Sequence, residues 1–386
     1  MKNDLRKYFP MADKIVYLDN AALALKPNEA IEACSNFYNN YSVSTRTNDS
    51  PLGIHSNQVM KNLRSKIAFL TDANEDEVIF TSGTTDSLNK CAIMLSKILK
   101  KSDEIILHAY NHSSNFAPWI NLAQQKGLKI NIVTDEDILN FINKNTKIVA
   151  LSQITNNYQI DIDMEKVYKK TQEVGAILIN DAAQAIVYDN VSLKNCDIIA
   201  FSANKFYGPT GFGALIVKKD ILNLINPPTL GGGSIADIEK DGSCIVKTSI
   251  EAFEPGTANL AAIYMFDKAI DFFHKHIGYT KSKQILLELS HYLYDQLITI
   301  SNIEIYSKRD DHIILFNVKN VNAQDVAHYL GIHNIYVRAG IFCAHYLKKV
   351  KDHNSYVRLS LGVYNNKEDI DKFLKVLKNG GDFLVI

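Results

Sequence analysis

Lys205 stands three positions past the end of the apolar run CDIIAFS (196–202), a poor place for a solvated charge. A lysine desolvated at the end of a buried strand loses basicity and becomes an amine nucleophile. Asp181 ends a second apolar run, AILIND (176–181). An acid there either caps the next turn or faces a buried cation. Ser82-Gly83-Thr84-Thr85 follows EVIF (77–80) and opens the helical pattern TDSLNKCAIMLSKIL. Glycine permits close backbone approach, and a helix start with capping hydroxyls suits a phosphate, although the motif alone is a plain helix cap. No G-x-x-x-x-G-K-[ST] occurs, and GPTGFGA (208–214) precedes a strand rather than a helix, so neither nucleotide fingerprint holds. An amine, an acid and a phosphate-ready helix at neighbouring strand ends point to one cofactor, pyridoxal phosphate. The lysine would form a Schiff base with its aldehyde, the acid would keep its pyridine nitrogen protonated, and the helix would anchor its phosphate.

The elements that must position these groups alternate along the first two-thirds of the chain. EIILH (104–108), LKINIV (128–133), TKIVALSQ (146–153) and GALIVKK (213–219) join the runs above as strands. Short, β-branched and nearly continuous apolar runs suit strands covered on both faces. They predict an α/β fold with a mostly parallel sheet between helices, its ligand beyond the carboxyl ends of the strands. DIDMEKVYKKTQEVG is amphipathic and stops at Gly175. Beyond about residue 260, two long helical segments (261–276, 280–299) precede IEIYS, HIILFNV, IYVRAG and SYVRLSLGV, with helices NAQDVAHYL and NKEDIDKFLKVLK among them. That pattern predicts a large domain over 15–260 and a smaller α+β domain over 261–386, joined by the N-terminal segment 1–14. LGGGSIADIEKDGSC (230–244) is expected to be a loop or hairpin.

Composition excludes several function classes. The 386 residues balance 42 basic against 42 acidic side chains, which argues against nucleic acid or an acidic lipid surface as partner. Hydrophobic residues at 46% and charged residues at 22% are ordinary globular values. MKNDLRKYFPMADK is charged and lacks an apolar run, and no stretch approaches the roughly 20 apolar residues of a membrane span. A cytoplasmic protein is therefore expected. Cys34, Cys91, Cys196, Cys244 and Cys343 are scattered and odd in number, with no C-x-x-C pair, so neither a disulfide framework nor a metal site is expected.

Ordered landmarks from YLDNAALALKP (17–27) to RLSLGVYNNKEDI (358–370) resemble a known family across almost the whole chain. Between them lie GIH (53–55), FTSGTTDSLN (80–89), NHSSNFAPW (111–119), NDAAQA (180–185), FSANKFYGPTGFGAL (201–215), GGGS (231–234), FEPGTAN (253–259) and RAGIFCA (338–344). The chain is similar to class V aminotransferase-fold enzymes, specifically cysteine desulfurases of the SufS/selenocysteine lyase type. The resemblance implies fold type I of the pyridoxal-phosphate transferases and a homodimer. It further implies L-cysteine as substrate, possible selenocysteine lyase activity, and a protein sulfur acceptor in iron–sulfur cluster assembly or other sulfur metabolism.

Residue by residue, the resemblance matches Lys205 to the Schiff-base lysine, Asp181 to the acid at the pyridine nitrogen and Gln184 to the partner of the ring hydroxyl. His112 matches an imidazole stacked on the ring and used in proton transfer; a lone histidine is otherwise usually structural. Thr84, Thr85 and Ser202 match phosphate contacts, with Asn204 where the family has a phosphate-neighbouring His. Thr257 matches a phosphate contact donated by the neighbouring subunit. Asn156 aligns with an asparagine near substrate and ring hydroxyl. Arg358 matches the clamp on the substrate carboxylate, for which a planar guanidinium fork is suited.

Cys343 matches the loop cysteine that takes the substrate's sulfur as a persulfide, and Arg338 is the cation expected beside its thiolate. A free cysteine is otherwise most often a small buried hydrophobe. The family's R-[TA]-G-H-H-C-A differs here, with Ile341 and Phe342 replacing both histidines. Leu52 replaces an arginine, and Gln324 stands where members that pass sulfur to a zinc-bearing scaffold tend to carry histidine. Two rivals follow. One is another class V enzyme (aminotransferase, epimerase or β-lyase) in which Cys343 is incidental. The other is a non-catalytic scaffold, against which the intact Lys205, Asp181, Gln184, His112 and Arg358 set argues.

Overall fold

The computed structural model describes residues 4–45, 49–135 and 137–380. The apolar runs form one sheet from β1 Val78–Thr81, β2 Glu104–His108, β3 Lys129–Val133, β4 Thr146–Leu151, β5 Ile177–Asp181, β6 Ile198–Ser202 and β7 Gly213–Val217. Their order is β1-β7-β6-β5-β4-β2-β3, and β7 runs antiparallel to both of its neighbours while the other pairs are parallel. Side chains alternate between two buried faces: Val149, Leu178 and Ile199 enter one core, Ile148, Ile179 and Ile198 the other. Burial on both faces is why these strands lack a polar stripe.

Helices cover both faces: α1 Asn28–Asn36, α2 Pro51–Leu70, α3 Thr84–Leu95, α4 Ala117–Lys126, α5 Met164–Val174 and α6 Leu260–Phe272. Asp163 accepts from the Lys166 N–H at the start of α5, and Gly175, at φ 67°, ends it. α6 is buried along almost its whole length and packs on α1 and α2.

The C-terminal part carries α7 Gly278–Leu297, an antiparallel sheet of β8 Ile303–Ile305, β9 Ile313–Val318, β10 Arg338–Gly340 and β11 Tyr356–Ser360, and helices α8 Ala323–Ile332 and α9 Lys367–Asn379. Its strand order is β8-β9-β11-β10. The chain's start joins this part. Val16 and Tyr17 pair in parallel with Ile335 and Tyr336, and Arg6 Nη1 meets Asp369 Oδ2 at 2.7 Å. The glycine-rich stretch forms a hairpin of Ile235–Ile238 against Cys244–Val246. No described helix is long and apolar enough to cross a membrane. Among the described residues no group of three or more His, Cys, Asp or Glu is placed to hold a metal ion.

Candidate active site

Thr81, His108, Leu151, Asp181 and Ser202 end strands that run in the same direction, so the segments after them emerge at one edge of the sheet. That edge holds a cleft of about 560 Å³, including its open mouth, lined by Thr84, Thr85, His112, Asn156, Asp181, Gln184, Ser202, Asn204 and Lys205. Nine positions selected from sequence therefore meet in one place.

Two glycines bring the phosphate-ready helix start against β6 and β7. Gly83 has φ 144°, a backbone conformation that L side chains rarely adopt. At Gly213 an added Cβ would lie 2.4 Å from the Phe201 carbonyl and 2.7 Å from the Gly83 Cα. That close approach lets Ser202 Oγ accept from the Thr84 N–H at 2.7 Å and pair with Thr84 Oγ1 at 2.8 Å. Thr85 Oγ1 joins Ser114 Oγ at 2.7 Å. Hydroxyls thus converge on a helix N-terminus, where the helix dipole favours an anion.

Lys205 ends the short turn Ala203–Lys205, and the next residue, fully buried Phe206, packs on Phe273 with ring centroids 4.6 Å apart. Phe206 thereby anchors the turn while the amine faces the cleft. Burial pushes the Lys205 amine down to about 8, with the Asp181 carboxylate opposing the shift. Burial likewise pushes Asp181 up to about 6 against the pull of the Lys205 cation. Asp181 Oδ1 accepts from the Ala183 N–H, and Gln184, which lines the cleft, is held by its Nε2 donating to the Ala21 carbonyl.

Aldehyde capture by the apoprotein requires the neutral amine. Its rate is therefore expected to rise with pH to about 8 and level off above it. An ordinary lysine would keep gaining toward about 10.4. Absorbance-monitored uptake of pyridoxal phosphate across this range checks the point, and a rate still climbing well above 8 contradicts it.

His112 is pinned by its neighbours. Asn111 Nδ2 donates to the Ala150 carbonyl and Asn115 Nδ2 to that of Leu151, tying this loop to the end of β4. His112 Nδ1 accepts from the Ser114 N–H at 3.1 Å, which places the neutral ring's proton on Nε2. Burial first, then the Lys205 and Arg358 cations, push His112 down to about 4. A neutral imidazole with its proton on Nε2 is the result near neutral pH.

The remaining selected residues lie outside the cleft lining. Thr257 is exposed just ahead of α6. Arg358 on β11 pairs in register with Arg338 on β10, so both side chains share one face, with Arg338 exposed. Arg358 Nη2 donates to Asp19 Oδ1 at 2.6 Å and Nη1 to the Asn156 carbonyl at 3.0 Å. Cys343 is exposed on the segment after β10, and its carbonyl accepts from the Ser113 N–H at 2.7 Å. The candidate nucleophile is thus tied to the residue next to His112. Of the other thiols, Cys91 and Cys196 are buried, Cys34 is partly buried and Cys244 is exposed on the hairpin.

Asp19, Ser113, Ser114, Phe342 and His345 take part in this geometry without having been assigned roles from sequence. Asp19 stands in the YLDNAA landmark and His345 two residues after Cys343, so the motifs held a signal for both. The donor set fits pyridoxal phosphate: an amine and a carboxylate a strand apart, an imidazole on a pinned loop, and hydroxyls at a helix start.

Comparison with known proteins agrees with this chemistry. The chain matches the family Aminotransferase class-V over residues 16–373. The chain belongs to that family. All candidate residues from Thr84 to Arg358 fall within the span shared with the class-V aminotransferases. It is 34% identical to a probable cysteine desulfurase of Ureaplasma parvum over 391 residues, covering 97% of each chain. Its fold superposes on an apo cysteine desulfurase from Thermococcus onnurineus with a TM-score of 0.94 at 29% identity, covering 99% of this chain and 98% of that one. The cysteine desulfurase CsdA of Escherichia coli gives a TM-score of 0.91 at 27% identity, covering 98% of both.

Proposed function

We propose that this class-V protein is a pyridoxal-phosphate-dependent cysteine desulfurase that converts L-cysteine to L-alanine and holds the sulfur as a persulfide on Cys343. The observation that carries the reading is the attachment of the exposed Cys343 segment, through Ser113, to the loop that places His112 on the cleft. An aminotransferase has no need of a thiol there.

Lys205 would link the cofactor, Asp181 would face its pyridine nitrogen, Gln184 its ring hydroxyl and His112 its ring face. Thr84, Thr85 and Ser202, with Asn204 beside them, would hold its phosphate. Bound there, pyridoxal phosphate supplies the electron sink that makes the substrate's Cα–H acidic and stabilises charge left when the Cβ–S bond breaks. Arg358 orients the substrate carboxylate, with Arg338 on the same face adding positive charge. When free of the cofactor, Lys205 Nζ would take the Cα proton, a role for which its lowered basicity suits it. Cys343 Sγ, as thiolate, then attacks the substrate sulfur. An S–S bond forms as the Cβ–S bond breaks, and the bond's electron pair stays on Cβ, which is protonated to give L-alanine. His112, which lines the cleft with its proton on Nε2, would supply a proton there.

The persulfide is the product to be passed to an acceptor protein. A homodimer in which Thr257 reaches the neighbouring subunit's phosphate site is part of the proposal, supported by the exposure of Thr257. The test is mass spectrometry of the holoenzyme after exposure to L-cysteine. One added sulfur on the peptide containing Cys343 is expected; unmodified Cys343 with alanine still forming would overturn the reading.

A further inference from the structure

Arg358 is only 1% exposed, although the proposed reaction needs it for the substrate carboxylate. Its Nε is buried without a hydrogen-bond partner, so the fork keeps an unfilled donor. The ring of Phe342, itself 4% exposed, lies 4.7 Å from the guanidinium carbon. Phe342 immediately precedes Cys343, so one segment both carries the thiol and covers the arginine.

That segment is strained. Phe342 and Cys343 have φ of 54° and 58°, the left-handed region that residues with a side chain avoid. Asn156 Nδ2 donates to the Phe342 carbonyl at 2.8 Å, while the Ser113 N–H and Oγ both donate to the Cys343 carbonyl, at 2.7 and 2.6 Å. A carbonyl only accepts, so the single Ser113 hydroxyl proton is committed to it. His345 Nδ1, 2.7 Å from Ser113 Oγ, must therefore be the donor in that pair. His345, Ser113 and the Cys343 carbonyl form a directional latch on a strained segment.

We infer that Phe342 is a gate over Arg358: the aromatic ring and the substrate carboxylate compete for the guanidinium, and the Ser113–His345 latch sets how often the arginine is covered. The inference rests on the desulfurase reading of the same site. Apparent affinity for a carboxylate ligand is then its intrinsic affinity reduced by the open fraction. An amine lacking the carboxylate has no use for Arg358 and is indifferent to the gate.

The test uses the holoenzyme with Phe342→Ala and, should that variant fail to fold, Ser113→Ala, which removes the hydroxyl and His345 arm of the latch and keeps the backbone bond. L-alanine and cysteamine, which lacks a carboxylate, are titrated against the cofactor absorbance, and half-saturation by L-cysteine is measured in parallel. Both variants are expected to bind L-alanine and L-cysteine roughly three- to tenfold more tightly, the range of one partly desolvated cation–π contact. Cysteamine binding should stay as in the unmodified enzyme. Unchanged L-alanine affinity, or an equal shift for cysteamine, overturns the gate. Unmodified enzyme that binds L-alanine but forms no persulfide from L-cysteine overturns the desulfurase reading instead, since the two binding titrations require no sulfur transfer.

Discussion

Cys343→Ser is expected to abolish alanine and persulfide formation from L-cysteine while leaving cofactor binding intact. A thiolate is a strong nucleophile toward sulfur, whereas a serine hydroxyl remains protonated and is a poor one. Losing a nucleophile that acts directly on the reacting atom lowers turnover by about a thousandfold or more. The fold should tolerate the change. Cys343 is exposed, and its contacts to Ser113 run through its backbone carbonyl, which serine retains. Cys343 does not line the cleft that would hold the cofactor, so its absorbance band should persist. Alanine formation and cofactor absorbance measured on the same sample separate the two effects. Undiminished desulfuration would make Cys343 incidental and favour a β-lyase of the same family, which breaks the Cβ–S bond without a protein thiol.

The strands of the large sheet were legible because burial on both faces writes each as an unbroken apolar run. β2, for instance, has the predicted limits Glu104–His108. Strand direction is not written in such runs. β7 reverses because only residues 203–212 connect it to β6, and a parallel crossover needs about a dozen or more. The cleft residues at strand ends were legible for the same reason: Asp181 and Lys205 are charges placed where the apolar pattern stops. The contacts around Arg358 were not legible. Asp19 reaches it from 339 positions away and Phe342 from an irregular segment between two strands, and no local period encodes either partner. Even the loss of the family's two histidines gave no hint that a phenylalanine would lie on the arginine. Periodicity reports which face is buried and is silent about what it is buried against.

Lys205→Ala and Lys205→Arg, taken together, are expected to separate the charge of this side chain from its nucleophilicity. Both variants lose the amine that captures the aldehyde and takes the Cα proton, so turnover should fall by roughly 10^3-fold, within the usual range for removing a general base. They should differ at Asp181. Burial raises that carboxyl and the Lys205 cation pulls it back down, so alanine removes the opposing charge and arginine retains it. Asp181 sits at about 6 with Lys205 present, so the alanine variant should lose affinity for pyridoxal phosphate at a higher pH than the unmodified protein, while the arginine variant holds its affinity further into acid. Arginine stays protonated and cannot supply a neutral amine. A small amine added to solution has room to enter the space left by alanine, and is expected to restore a measurable fraction of L-cysteine turnover there and none in the arginine variant. Borohydride reduction followed by peptide mass analysis should attach the cofactor at position 205 in the unmodified protein alone. Full turnover in either variant would remove Lys205 from the proposed mechanism. Rescue of both by amine would show that the arginine leaves the reacting position open, and that the base's place in the cleft is set by something other than this side chain.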